Sequence, residues 1–290
     1  MEMFEKMRYN RPNILFREVS MADKVKRAER LAVMGMILTS SPNRIFTLSY
    51  FCEMFGAAKS TVSEDTAILA RTWRTFRLGT VETVTGAAGG VRYRPAGNVQ
   101  PARPFIQQLC QRLAEPDRML PGGYLYLSDI LSEPETVRRI GELMAAQYYD
   151  AGADFVLTME TKGIPVALEA ASALHLPLVI ARRSIKVYEG GAVNISYVSG
   201  NGSIEMMSLS RRAVREGQSC IIVDDFTRGG GTARGMYSLM AEFGITVKGA
   251  CFVLAMRGAQ PDGEDEKAVM ILDPIVPGEP VVVRPGAWIK

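Results

Sequence analysis

The chain has a single histidine, four cysteines and two tryptophans in 290 residues, and each scarcity removes a class of chemistry. Cys52, Cys110, Cys220 and Cys251 are scattered through apolar segments without CxxC spacing, so neither a disulfide framework nor a zinc site is indicated and they read as core thiols. His175 falls between a helical stretch ending at Leu174 and an apolar run starting at Leu176, which suits a helix C-cap better than a catalyst. There is no nucleophile-plus-base pattern and no cluster with metal-ligand spacing, so no metal site is expected. No apolar run approaches the ~20 residues that span a bilayer. The first stretch, MEMFEKMRYNRPNILFREVS, lacks a signal-peptide core, so a cytoplasmic location without membrane partners is expected. Repeats and low-complexity tracts are also missing.

What is there is a large apolar fraction, 47%, enough for about two packed domains at this length. Charge divides the chain. Residues 1–100 carry 15 Lys/Arg against 9 Asp/Glu, and residues 101–290 carry 19 against 22. A basic front end fits an anionic partner, nucleic acid foremost, or else a solvated charged surface.

Helical periodicity begins near Asp23, placing Ala28, Leu31, Ala32, Gly35 and Leu38 on one face, and stops at Ser40-Ser41-Pro42-Asn43. Thr47 can cap a short second helix with Leu48, Phe51, Cys52 and Phe55, ended by Gly56. Thr61 and Glu64 have capping-box spacing for a third helix whose apolar stripe is Val62, Leu69, Trp73 and Phe76. Trp73 and Phe76 at that spacing read as core. Lys59, Ser60, Thr61 and Ser63 at the start of this helix, with Arg71 and Arg74 further along, could reach phosphates or base edges in a major groove, or the helix could be a protein-binding face. Gly79 to Thr85 then alternates as a strand, Gly86 to Gly90 turns, and Val91-Arg92-Tyr93-Arg94 returns, with Arg92 and Arg94 on one face and Tyr93 on the other. Such a hairpin, from Gly89 and Gly90 to Arg94, can act as a basic wing on the nucleic-acid backbone.

Pro95 to Pro104 reads as a linker. Beyond it a helix buries Ile106, Leu109, Cys110 and Leu113, Pro121-Gly122-Gly123 turns into Tyr124 to Leu127, and a helix starts near Pro134. From Phe155 onward strands and helices alternate, predicting a parallel sheet with right-handed crossovers. Its most telling stretch is Cys220-Ile-Ile-Val-Asp224-Asp225-Phe226-Thr227-Arg228-Gly229-Gly230-Gly231-Thr232. An apolar strand ends in two carboxylates, which as pure acceptors suit the vicinal hydroxyls of a ribose and repel a bare phosphate. The glycines that follow let backbone N–H groups converge at a helix start, either as an anion cradle or simply as a tight strand-to-helix connection. No Lys follows them, so the order is not that of a P-loop. The other strand-to-helix loop, Thr161-Lys162-Gly163, offers a cation for a diphosphate or an exposed loop lysine. Lys186 to Val198 reads as two strands around Glu189-Gly190-Gly191, a mobile flap over a ligand or a plain hairpin.

Together the apolar strand, paired acids and Gly-Gly-Thr resemble the 5-phosphoribosyl-1-pyrophosphate (PRPP) motif of type I phosphoribosyltransferases. GAAGGVRYRP, LPGGYLYLSDIL, TKGIP, NISYVSG, MSLSRR and VDDFTRGGGTARGM, in that order, resemble the purine operon repressor family of Gram-positive bacteria over roughly residues 23–290. The resemblance implies an α/β chain with an N-terminal extension (1–22), a winged-helix DNA-binding domain (23–97) and a type I phosphoribosyltransferase-like domain (98–290) built on a central, mostly parallel sheet. It implies Asp224 and Asp225 on ribose hydroxyls, Phe226 beside them, Thr227 through Thr232 on the 5-phosphate, Thr161, Lys162 and Gly163 on the pyrophosphate, and Lys186 and Tyr197 at the flap. Lys59, Ser60, Thr61 and Ser63, with Gly89, Gly90, Arg92, Tyr93 and Arg94, would face double-stranded DNA of purine operon control regions. The family forms homodimers, and PRPP, with or without Mg2+, acts as effector rather than substrate; guanosine tetraphosphate is a candidate rival at the same site. Gly229 stands where active transferases often carry Thr, which weakens the case for turnover. Residues 1–20 have no counterpart in the family pattern, which makes Met21 a candidate start.

Overall fold

The computed structural model describes residues 25–86, 89–95, 101–120, 124–184, 190–199, 202–258, 266–276 and 278–290. Helix α1, Arg27–Ser40, does not bury the expected stripe. Its inward residues are Arg30, Met34, Ile37 and Leu38, whereas Ala28 and Ala32 are exposed. The frame shifts because the Arg30 guanidinium is itself buried, Nε lying 2.6 Å from the fully buried carboxylate of Asp65. Helix α2, Leu48–Phe55, is capped as expected: Thr47 Oγ1 accepts from Tyr50 N at 3.2 Å, and Gly56 closes it in the left-handed region at φ 57°. Helix α3 is Lys59–Thr75 and starts two residues before Thr61, so the Thr61–Glu64 capping box does not form. Val62, Leu69 and Trp73 are buried, but Phe76, one residue past the helix, is exposed. Strands β1, Thr80–Val84, and β2, Gly90–Arg94, pair antiparallel with Glu82 opposite Arg92. Val81, Val91 and Tyr93 point inward from this hairpin and join Met34, Phe51, Val62 and Trp73 in a core confined to residues 25–93.

The rest of the chain has its own cores. Helix α4, Ala102–Leu113, buries Ile106, Leu109, Cys110 and Leu113 as read from sequence. A short hairpin of β3, Met119–Leu120, and β4, Tyr124–Leu125, leads to α5, Pro134–Ala145. Next come β5, Phe155–Met159, α6, Ile164–Leu174, and β6, Leu178–Ala181. A second hairpin joins β7, Ala192–Val198, to β8, Ile204–Ser210; the first strand of the hairpin expected around Glu189-Gly190-Gly191 lies outside the described residues. Its strands flank Ser199–Ser203, closed by a Ser199 N to Ser203 O bond of 2.9 Å. Strand β9, Ser219–Thr227, helix α7, Gly231–Glu242, and strand β10, Thr246–Met256, complete the readable alternation; β11, Glu266–Leu272, and β12, Val283–Pro285, were not anticipated.

Six strands form one sheet in the order β12-β11-β10-β9-β5-β6, all pairs parallel except β11–β12. Both faces are covered. Ile221, Val223, Cys251 and Val253 face α5 and α6, while Cys220, Ile222, Ala250 and Phe252 face α7 and the β7–β8 hairpin, which explains why these strands read as unbroken apolar runs. Gly141 permits α5 to lie against α6: a Cβ there would come 2.8 Å from Ala170 N. The chain order reverses between β5 and β9, so their adjoining carboxyl ends open a crevice of the kind that takes ligands in parallel sheets. Among the described residues no helix is long and apolar enough to cross a membrane.

Candidate functional site

Strand β9 delivers Asp224 and Asp225 into that crevice. Asp224 is only 3% exposed; its Oδ1 accepts from Asp225 N at 3.0 Å and from Thr158 Oγ1 at 3.4 Å. Burial pushes both carboxyls above the usual carboxylate range. The charge of Asp225 raises Asp224 further, while Lys162 acts in the opposite sense on Asp225. Hydroxyl donors on a ligand would stabilise these carboxylates, whereas another anion would aggravate them.

The Thr161-Lys162-Gly163 loop closes on the pair from β5. Gly163 is the N-cap of α6, and a Cβ on it would overlap Asp224 Oδ1 and lie 2.7 Å from Thr158 Oγ1. Glycine is required here for close approach. Thr161 and Lys162 are exposed, and the Glu160–Thr161 peptide is cis. On the other side, Arg228 and Gly229 are exposed and Gly230 caps α7 in the left-handed region at φ 70°. Arg234 folds back so that Nη2 donates to Gly229 O at 2.9 Å. Gly231 lies under the β7–β8 turn, where a Cβ would strike Val198 O.

Two adjoining cavities follow. One, of about 240 Å3, is lined by Arg183, Ser199, Glu205 and the 227–232 loop; the other, of about 110 Å3, runs past Lys162 and Asp225 to the apolar Leu125, Leu127 and Leu254. Tyr124, Phe226 and Arg228 line both, with the Arg228 guanidinium 5.9 Å from the Tyr124 ring centre. The crevice thus joins hydroxyl acceptors, an anion-favouring helix start and an apolar slot. Tyr124, Arg183 and Glu205 were not singled out from sequence. Tyr197 was, but it lines neither cavity: its ring is buried against α7 at Gly235, and its Oη donates to Glu205 Oε2 at 3.0 Å. Lys186 lies outside the described residues.

In the N-terminal unit, α3 presents Lys59, Ser60 and Ser63 fully and Thr61 partly, with Arg71 and Arg74 also exposed further along it. The wing differs from expectation. Gly90 is buried because a Cβ would run into Phe46 O, and Gly89 supports the turn by donating from N to Gly86 O at 2.9 Å. Tyr93 is core: its ring meets Trp73 edge-on at 4.9 Å and its Oη donates to Leu78 O at 2.8 Å. Arg92 and Arg94 share the face predicted for them, but they are not free cations. Arg92 Nε pairs with Glu82 at 2.9 Å, and Arg94 Nη2 pairs with Asp150, in the segment after α5, at 2.5 Å.

The description "Bacterial purine repressor, N-terminal" matches residues 26–95, and "Phosphoribosyl transferase domain" matches residues 127–284. An adenine phosphoribosyltransferase structure from Rhodothermus marinus covers 59% of this chain and 100% of its own, with a TM-score of 0.51 at 21% identity, a likeness of fold. The purine biosynthesis transcriptional activator PurR of Lactococcus lactis is 40% identical over 87% of this chain and 93% of its own. The purine biosynthesis transcriptional repressor PurR of Bacillus subtilis is 42% identical over 85% of both chains. A winged helix of the matching type, a phosphoribosyltransferase fold behind it and identity at that level across both establish that the chain belongs to the bacterial purine repressor family.

Proposed function

We propose that this chain is a DNA-binding repressor of purine biosynthesis and transport genes that senses PRPP as an inducer in the crevice between β5 and β9. The observation that carries the reading is the Asp224–Asp225 pair, Asp224 buried and Asp225 lining the cavity that adjoins that of the 227–232 loop, on a chain whose front end is a purine-repressor winged helix. Ribose hydroxyls would donate to the two carboxylates, the 5-phosphate would take the N–H groups of Gly229 to Thr232 at the start of α7, and Lys162 would meet the diphosphate. A Mg2+ ion carried on the diphosphate would arrive with the ligand. DNA would meet Lys59 to Ser63 at the start of α3.

Relatives named repressor and activator fall in one family; the sign taken here is that of the Bacillus relative. The working form would be a cytoplasmic homodimer comprising a winged-helix unit (23–97) and an effector unit (98–290) behind the N-terminal extension. Titration of labelled purine-operon control DNA by fluorescence anisotropy tests the switch: PRPP is expected to weaken binding, and an affinity unmoved by millimolar PRPP would sink it.

The apolar cavity of about 110 Å3 beside Asp225 favours a second reading, an active phosphoribosyltransferase with an appended DNA-binding domain. Leu125, Leu127, Phe226 and Leu254 make room there of the apolar character a nucleobase takes. Incubation with PRPP and each purine or pyrimidine base decides between them, nucleotide formation establishing the enzyme. Guanosine tetraphosphate as a co-repressor would occupy the same anion sites. Calorimetry in which it and PRPP bind simultaneously and independently would exclude that sharing.

A further inference from the structure

The two wing arginines are held by carboxylates from two different parts of the molecule. Glu82, their cross-strand neighbour on β1, lies 2.9 Å from Arg92 Nε and 3.4 Å from Arg94 Nη1. Asp150 reaches in from the effector unit, 2.5 Å from Arg94 Nη2 and 3.6 Å from Arg92 Nη2. The flat face of the Arg94 guanidinium also rests over the Tyr149 ring at 4.7 Å. The arginine side chains are only 19% and 14% exposed, whereas that of Asp150 is 77% exposed. Two cations therefore meet two anions, and the wing is locally neutral although its sequence is basic. Of the four partners Asp150 is the one open to water, and the Arg94 bond holds its carboxyl below the usual range. Because the Asp150 carboxylate is open to water, its pairs are screened on that side and readily exchanged.

We propose that Asp150 is a latch that docks the wing on the effector unit and competes with DNA phosphate for Arg92 and Arg94. A phosphate and a carboxylate offer guanidinium the same paired oxygens, so occupation of Arg94 by one excludes the other. Release of Asp150 leaves two arginines facing Glu82 alone, a net gain of one positive charge at the wing. The DNA affinity of the chain is thus set partly by a contact between its two units, rather than only by residues that touch bases. The inference rests on the reading of the winged helix as a DNA binder.

The test uses the full chain, a labelled random-sequence duplex and a series of salt concentrations, because phosphate contacts are independent of sequence. Asp150→Asn is expected to tighten binding about two- to fivefold at low salt, the range of an exposed ion pair, and to steepen the slope of log affinity against log salt by about one. In an Arg92→Gln, Arg94→Gln background the same substitution should change neither quantity. An unchanged slope in the single variant would overturn the latch. So would an equal gain in the glutamine background, which would mark Asp150 as a general repulsive charge. A wild-type chain that gives no anisotropy change with any duplex would remove the DNA-binding reading first and the latch with it. Asp150→Asn alters an exposed side chain, so its slope can be read even where the double glutamine variant fails to fold.

Discussion

Gly163→Ala puts the proposed ligand geometry to its sharpest test, because the added methyl has nowhere to go. Its position overlaps Asp224 Oδ1 and falls 2.7 Å from Thr158 Oγ1 and 3.0 Å from Asp224 Cγ. Asp224 is at the end of a buried strand with almost no exposed surface, so its carboxylate cannot swing into solvent without giving up the hydrogen bond from Asp225 N. Overpacking of this kind costs about 2 kcal/mol, which in a unit of this size lowers Tm by ~4–8 °C. A ribose-binding carboxylate moved out of place also loses a charged hydrogen bond, ~1.5–3 kcal/mol, or about ten- to a hundredfold in PRPP affinity. Differential scanning fluorimetry and calorimetry read the two effects. Gly35→Ala, in α1 of the winged helix, is the control: a Cβ there meets only Trp73 Cζ2 at an ordinary 3.5 Å, so it should leave PRPP affinity alone. PRPP affinity in Gly163→Ala within about threefold of wild type would refute the placement of Asp224 on the ligand, since a displacement large enough to seat the methyl would then have no binding consequence.

Asp224→Asn should separate stability from ligand binding. A carboxyl whose folded pKa lies above its ordinary 3.8 binds more protons folded than unfolded, so it destabilises the fold increasingly as pH rises from 3.8 to the folded value, and fully above it. The amide variant should therefore melt higher than wild type at neutral pH, converge with it near pH 3.8 and bind PRPP poorly; equal melting at neutral pH would refute the burial argument. Arg30→Ala leaves the fully buried Asp65 with only the half-exposed Arg27 at 3.3 Å, and a loss of ~3 kcal/mol in the winged helix is expected, read by hydrogen exchange in α3. Protection in α3 that falls by less than about 1 kcal/mol would show the pair to be dispensable. Lys59→Ala should weaken duplex binding and lower the salt slope by about one, and an unchanged slope would remove Lys59 from the phosphate contacts.

What sequence could show depended on whether the signal was local. Strand β9 and its loop were readable because burial, acid pair and glycines all sit within one stretch, and α4 because its apolar spacing is undisturbed by buried charge. Helix α1 was misframed because Arg30 occupies an inward position, and no periodicity argument assigns an arginine to a core before its Asp65 partner is seen 35 residues away. Phe76 looked like one more turn of the α3 stripe but follows the last helical residue, where the chain has already left the axis. Tyr124, Arg183 and Glu205 reach the crevice from three separate elements and carry no shared spacing. The Arg94–Asp150 pair, 56 residues apart, joins two units whose charges were counted separately, so neither count could show it.

The contacts between the units are of a different kind from those within them. The apolar core of residues 25–93 is separate from the two cores that cover the sheet. Across the boundary, Asp150 and Tyr149 hold the wing arginines, and Asn43 Nδ2 donates to Leu174 O at 3.0 Å. Polar contacts of this sort can be exchanged for water or phosphate without opening a core, so reorienting the winged helix costs far less than unfolding any part of it. Asn43 also donates from its backbone N to Tyr93 O at 2.7 Å, tying the same residue to the wing strand. Helix α6 consequently has the Lys162-Gly163 loop at its first turn and the anchor of the wing at its last carbonyl. It packs along α5 by the close approach at Gly141, so if the proposed effector displaced its first turn, the shift would have no loop to cross before reaching Asn43.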